Sequence, residues 1–222
     1  MGNQENQGTI GLLSNRELQE LGIDRIDWFK TDAQGIDLAL FQSLHAEIRE
    51  KILAVDIEPG LAENYVGEDT FHAAHPQLLA EGFWLSSLAV KGAVRMRPAT
   101  VQALAADLAD TYSAALPLPL RPSPAWCEAR YLRSLEVLGA QDAPARSYIL
   151  LWIFAMIEQQ WGYALEVVQA YAARFGSSAV VHQMRQESLR SIRRVYNRPG
   201  LFIRRYMPTF VKNVAKRVLR RH

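Results

Sequence analysis

Residues 26–38 read Ile-Asp-Trp-Phe-Lys-Thr-Asp-Ala-Gln-Gly-Ile-Asp-Leu. The β-prone run from Ile26 to Phe29 ends in Lys30-Thr31-Asp32, a turn follows at Gly35, and a helical pattern begins at Ile36. That is a strand delivering polar groups at its carboxyl end, beside the amino end of a helix. Open α/β sheets bind ligands at that edge. The junction comes early, with only 25 residues before it, where a doubly wound sheet would already have laid down several strands.

Working outward, residues 36–51 read as a helix with Leu40, Leu44 and Ile48 on one face. The apolar run 52–57 reads as a second strand. Strand, helix and strand make a βαβ unit, which predicts a parallel pair with a right-handed crossover. Glu58-Pro59-Gly60 ends the second strand. A helix is expected over 70–81, interrupted or kinked at Pro76. Segments 83–90 and 93–96 flank Lys91-Gly92, the spacing of a β-hairpin that closes the sheet. Upstream, Ser14 and Glu17 have capping-box spacing for a short helix over 15–21. Beyond Pro98 the pattern turns helical over 99–116, then extended through the proline-rich strap 116–124. It is helical again over 125–138, 145–160 and 162–175, with Gly176 as a C-cap. The predicted architecture is α/β. A partial Rossmann-like sheet occupies residues 1–97, and an α-helical region with a basic amphipathic tail occupies 98–222.

A net charge of +2 hides a division. Of 25 Lys or Arg and 23 Asp or Glu, 12 bases and one acid, Glu187, lie from His182 onward; 13 bases and 22 acids precede it. An acidic body carries a basic tail. The hydrophobic fraction of 49% supports a real core and argues against wholesale disorder. A single cysteine, Cys127, excludes an internal disulfide and fits a reducing compartment. The polar start at Met1–Gly8 has neither a basic nor an apolar leader region, and the apolar run 148–157 is shorter than the roughly 20 residues a bilayer demands. A cytoplasmic chain is expected, with attachment to a membrane surface as the open alternative.

Lys30-x-Asp32-x-Gln34-Gly35 after an apolar strand resembles the signature of FkbM-type methyltransferases, which use S-adenosylmethionine and mostly methylate hydroxyl groups. The family has Glu where this chain has Gln34. Residues 9–21 look like the helix before the family's fourth strand, Val55-Asp56-Ile57-Glu58 like the end of its fifth, and Gly82-Phe83-Trp84-Leu85 like the start of its closing hairpin. The likeness spans residues 9–97. It implies methyl transfer from S-adenosylmethionine to a small-molecule or glycan hydroxyl, with Asp32 and Lys30 in catalytic positions and Gln34, Asp56 and Glu58 against the substrate. The amino-terminal half of the cofactor site is missing: the chain has no Gly-x-Gly, the turn that lets a cofactor approach the backbone. The expectation is a fragment or degenerate form that does not methylate alone.

From residue chemistry, Asp32 could orient a hydroxyl, accept its proton or bind a divalent cation, or simply close a turn. Lys30 could enter the same cleft or face outward. Gln34 could meet a ligand or cap the helix. Asp56 and Glu58, two apart on a strand, should share a face and could join Asp32 in a three-carboxylate cluster, or be solvated strand-end acids. His72 and His75 lack the further ligands of a zinc set, and no metal is assigned. No phosphate loop or Gly-x-Ser-x-Gly occurs.

Ile203, Met207, Phe210, Val214 and Val218 form a helical stripe amid Lys212, Lys216, Arg217, Arg220 and Arg221. Such a segment over 200–222 suits first a helix docked on its own domain with a solvated basic face, then an anionic membrane surface, and then an acidic partner. Nucleic acid is not an expected partner. The alternative to a methyltransferase is a non-catalytic binding module recruited by this tail. The open edge left by the absent strands calls for cover, a homodimer or another partner.

Overall fold

The computed structural model describes residues 18, 20–62, 67–107 and 120–197. They fall into two compact units, one ending at Ser134 and one starting at Leu135.

The first unit is built on a mixed sheet of four strands in the order β1-β2-β4-β3. β1 (Trp28–Lys30) runs parallel to β2 (Ala54–Ile57), with Lys30 opposite Asp56. All of β2 is buried, as a central strand should be. The βαβ unit expected from periodicity is therefore present. Its connection is two short helices rather than one: α1 (Asp37–Ser43) and α2 (Ala46–Arg49). Leu44 and His45 between them take extended ψ values of 143° and 142°. That break lets Leu38, Phe41, Leu44 and Ile48 all turn into the core. α3 (Phe71–Ala80) follows with Pro76 inside it.

The closing pair differs from expectation. β3 (Phe83–Ala93) runs straight through Lys91-Gly92, and its antiparallel partner is β4 (Ser123–Arg133). Lys91-Gly92 is a register irregularity, not a turn. A Cβ at Gly92 would collide with the Ser123 carbonyl, so the glycine permits close approach of two strands. The pattern over 125–138 favours a helix, because Ala, Glu, Arg and Leu are good helix formers. Sheet pairing prevails: Cys127, Ala129 and Tyr131, on alternate positions, are all buried. β4 sits between β2 and β3, so the sheet-bearing unit ends at Ser134 and not at residue 97.

Arg133 closes this unit. It is only 1% exposed and lies 3.8 Å over the Phe83 ring. Its guanidinium donates to the carbonyls of Ile52 at 2.8 Å, Arg49 at 2.6 Å and Glu81 at 2.5 Å. Burial draws its pKa down to about 10. α4 (Pro98–Asp107) covers the described part of the helix expected over 99–116.

The second unit holds α5 (Leu135–Ala140), α6 (Ala145–Ile157), α7 (Trp161–Phe175) and α8 (Ala179–Tyr196). Gly176, at φ 84°, ends α7 as expected. Val168, Val181 and Met184 form a buried cluster with Ile149, Trp152, Tyr171 and Ala172. The Trp152 indole donates to Ser188 Oγ at 2.9 Å, which donates in turn to the Met184 carbonyl at 2.9 Å. No helix among the described residues is long and apolar enough to cross a membrane. Most of the expected helix at 15–21, residues 108–116 of the helix expected over 99–116, residues 116–119 of the strap expected over 116–124, and the tail from 198 lie outside the described residues, while the end of that strap, from Ser123, is the start of β4.

Candidate functional site

The site grows from Asp37, a residue that sequence patterning passed over. It opens α1 and is 1% exposed. Its Oδ1 accepts from Thr31 Oγ1 at 3.0 Å and from the Ala33 amide at 2.8 Å. Its Oδ2 accepts from the Glu58 amide at 3.1 Å. One carboxylate thus holds the ends of β1 and β2 together and starts the helix between them. Among the described residues no basic side chain lies within ion-pair distance of it; three donors and the helix amino terminus offset its charge.

Ile36 at the helix start has no side-chain cap. Asp69 supplies one from 30 residues away: its Oδ2 accepts from the amides of Leu38 at 2.8 Å and Ala39 at 3.1 Å. The same residue's amide donates to the Gly35 carbonyl at 2.7 Å, and its carbonyl accepts from the Gly60 amide at 3.2 Å. The loop before α3 is thereby fastened over the Gly35 turn. Gly35 has φ 97°, and a Cβ there would lie 2.8 Å from Glu68 Cγ. A Cβ at Gly60 would lie 2.6 Å from Glu68 Oε1. Both glycines make room for Glu68.

Above this scaffold is a cleft of about 420 Å³, lined by Asp32, Gln34, Glu58, Glu68, Ala125 and Trp126 among others. Three predicted residues, Asp32, Gln34 and Glu58, meet there. Gln34 does not cap α1; its amide donates to Asp32 Oδ1 at 3.4 Å, and its backbone is left-handed at φ 54°. Glu58, just past the end of β2, lines the cleft. Its pKa is raised, first by burial, then by the charges of Asp32, Glu128 and Asp37, with Lys30 opposing. Trp126 forms a wall and is 36% exposed.

Two predicted residues go elsewhere. Asp56 is 6% exposed and paired with Lys30 Nζ at 3.7 Å and Arg130 Nε at 3.3 Å. The cluster of Asp32, Asp56 and Glu58 therefore does not form, because β4 delivers Arg130 opposite Asp56. Lys30, its strand partner across the parallel pair, is drawn to it and does not line the cleft. Among the described residues no group of three or more His, Cys, Asp or Glu is placed to hold a metal ion. His75 meets the Tyr131 hydroxyl at 3.2 Å and stacks on Phe71, while His72 is exposed.

The chain matches no family model, no curated protein and no solved structure.

Asp37, Glu68, Asp69 and Trp126 were missed from sequence. Asp37 had one available signal, an acid in the first turn of a helix two residues past a glycine. Asp69 and Glu68 had none, since their partners are remote in the chain. Trp126 was hidden by the helical reading of its segment.

Proposed function

We propose that this cleft takes a hydroxyl-rich small molecule or glycan, as the acceptor half of an O-methyltransferase-type sheet. One observation carries this: Asp32 and Glu58, from the carboxyl ends of two adjacent parallel strands, converge on a cleft with an indole wall. Carboxylates accept from sugar hydroxyls, and an indole face suits the apolar face of a pyranose. In this reading Glu58, its pKa raised by burial and by the neighbouring carboxylates, is the base for a hydroxyl proton. Asp32 orients that hydroxyl. The sheet order, with a parallel pair followed by an antiparallel closing pair, agrees with the FkbM resemblance.

The residues present do not fit S-adenosylmethionine. The glycines that could cradle a cofactor, Gly35 and Gly60, are filled by Glu68, and the chain has no Gly-x-Gly. The described chain accordingly binds acceptor without transferring methyl. β1 lies at the edge of the sheet, which is where further strands or a partner chain would join.

Saturation-transfer NMR with methyl glucoside and N-acetylglucosamine tests the acceptor site. Signals that vanish in Trp126→Ala and Asp32→Ala are expected; no saturation of either sugar by the parent protein would overturn the reading. Calorimetry with S-adenosylmethionine should show no heat of binding, and micromolar affinity would refute the mismatch.

A further inference from the structure

The carboxylates of the cleft differ from those on the strands beside it. Lys30 and Arg130 are held by Asp56, and Lys91 Nζ meets Glu128 Oε1 at 2.9 Å. Among the described residues no Lys, Arg or His lies within ion-pair distance of Asp32 or Glu58. Glu68 brings a third carboxylate, and the described lining includes no base. Glu58 also feels the carboxylates of Glu128 and Asp37, against one opposing cation, Lys30, which is itself paired. The cleft is electronegative, and its walls supply no counter-charge.

A metal ion and an organic cation make different demands. A divalent ion needs its oxygens gathered within about 2.0–2.6 Å of one point, and among the described residues no such group is placed to hold one. An organic ammonium accepts carboxylates spread along a wall and gains from an aromatic face. Trp126 offers that face: it is 36% exposed, and among the described residues no Lys or Arg lies over its ring. The backbone on both sides of it is fixed. The Leu61 amide donates to the Ala125 carbonyl at 2.8 Å, and the Cys127 amide donates to the Pro59 carbonyl at 3.1 Å. The indole wall is thus in place before a ligand arrives. An ammonium beside Glu58 would also offset the repulsion from Asp32 and keep Glu58 ionised, the form a base must have.

We infer that the ligand of this cleft carries an ammonium group, set against the Trp126 indole and held by the carboxylates of Asp32 and Glu58. Resting on the acceptor reading proposed for the same site, this makes the acceptor an amino sugar.

The test is a set of affinities for the full chain, measured by saturation-transfer NMR at mildly acidic pH. The ligands are glucosamine, whose amine is then charged; N-acetylglucosamine, which caps that amine; glucuronate; and cyclohexylammonium, a charged ring without hydroxyls. Glucosamine is expected to bind about tenfold tighter than N-acetylglucosamine, the combined effect of one exposed ion pair and one cation–π contact, and glucuronate not at all. In Asp32→Asn/Glu58→Gln, with an unaltered circular dichroism spectrum, that ratio should fall to about one. An unchanged ratio in the folded variant would refute these carboxylates as the seat of the ammonium. Equal affinity of the parent chain for the charged and capped sugars would overturn the ammonium inference and leave the acceptor reading standing. Cyclohexylammonium binding as tightly as glucosamine would keep the ammonium and discard the sugar. Binding of none of the four would overturn both.

Discussion

The two units use buried polar groups in opposite ways. In the sheet unit Asp37 and Arg133, each 1% exposed, meet three donors and three acceptors respectively. In the helical unit the buried side chains are mostly apolar, and Ser188 with Trp152 is a chief polar link. The difference follows from topology. Helices satisfy their own backbones, so packing them needs apolar ridges. A short mixed sheet with loops at its edge leaves carbonyls and amides that side chains must reach. The lesson is that the cleft at the carboxyl ends of β1 and β2 rests on charge-assisted hydrogen bonds between distant segments, whereas the helices of the second unit rest on plain apolar packing.

The comparison can be broken most sharply at Arg133. Arg133→Met leaves three carbonyls without their donor, and should destabilise the sheet unit by about 3 kcal/mol or more. Urea unfolding followed by hydrogen exchange should show β4 amides losing protection while those of α6 and α7 keep theirs. Next is Asp37→Asn, which sets an amide nitrogen against an N–H or O–H donor. A loss of about 2–3 kcal/mol is expected in the same measurement; Glu58 would lose its anchor, and sugar binding should fall with it. Gly35→Ala forces a left-handed alanine and displaces Glu68, at about 2 kcal/mol by thermal unfolding. The double variant Gly35→Ala/Glu68→Ala should recover the steric part alone.

In the helical unit, Ser188→Ala should cost only about 1 kcal/mol by denaturant titration. A cost equal to that of Asp37→Asn would erase the contrast drawn above. The smallest effect concerns pH. Glu58 has a raised pKa in the fold, so the folded state holds its proton more tightly than the unfolded state does. Its contribution is full below the ordinary glutamate value of 4.5 and is lost as pH rises through the raised value. Glu58→Gln should flatten stability across that window, read as the slope of the unfolding midpoint against pH. An unchanged slope would show that Glu58 is less crowded than the cleft suggests.

Legibility in the sequence followed the range of the interactions. The strand at 28–30, its parallel neighbour and the glycine turn were legible because each is a local pattern of propensity and turn chemistry. So was the meeting of Asp32, Gln34 and Glu58, since the carboxyl ends of adjacent parallel strands lie together. The destination of Asp56 was not legible, because it depends on Arg130, which is 74 residues away in sequence. Nor was the cap on α1, supplied by Asp69 where Ile36 offers nothing.

By itself, then, the sequence determined an α/β start, a helical continuation, a carboxylate-bearing strand edge and a basic end. All of these depend on the nearest few residues and on composition. Tertiary structure alone decided that 123–133 is a strand, since its alternating buried face exists only once β2 and β3 flank it. That choice moved the boundary between the units to Ser134, drew Asp56 out of the cleft and put Trp126 into it. Local propensity favoured a helix there by tenths of a kcal/mol per residue, while burial of a central strand is worth about 1.5–3 kcal/mol for each large apolar side chain.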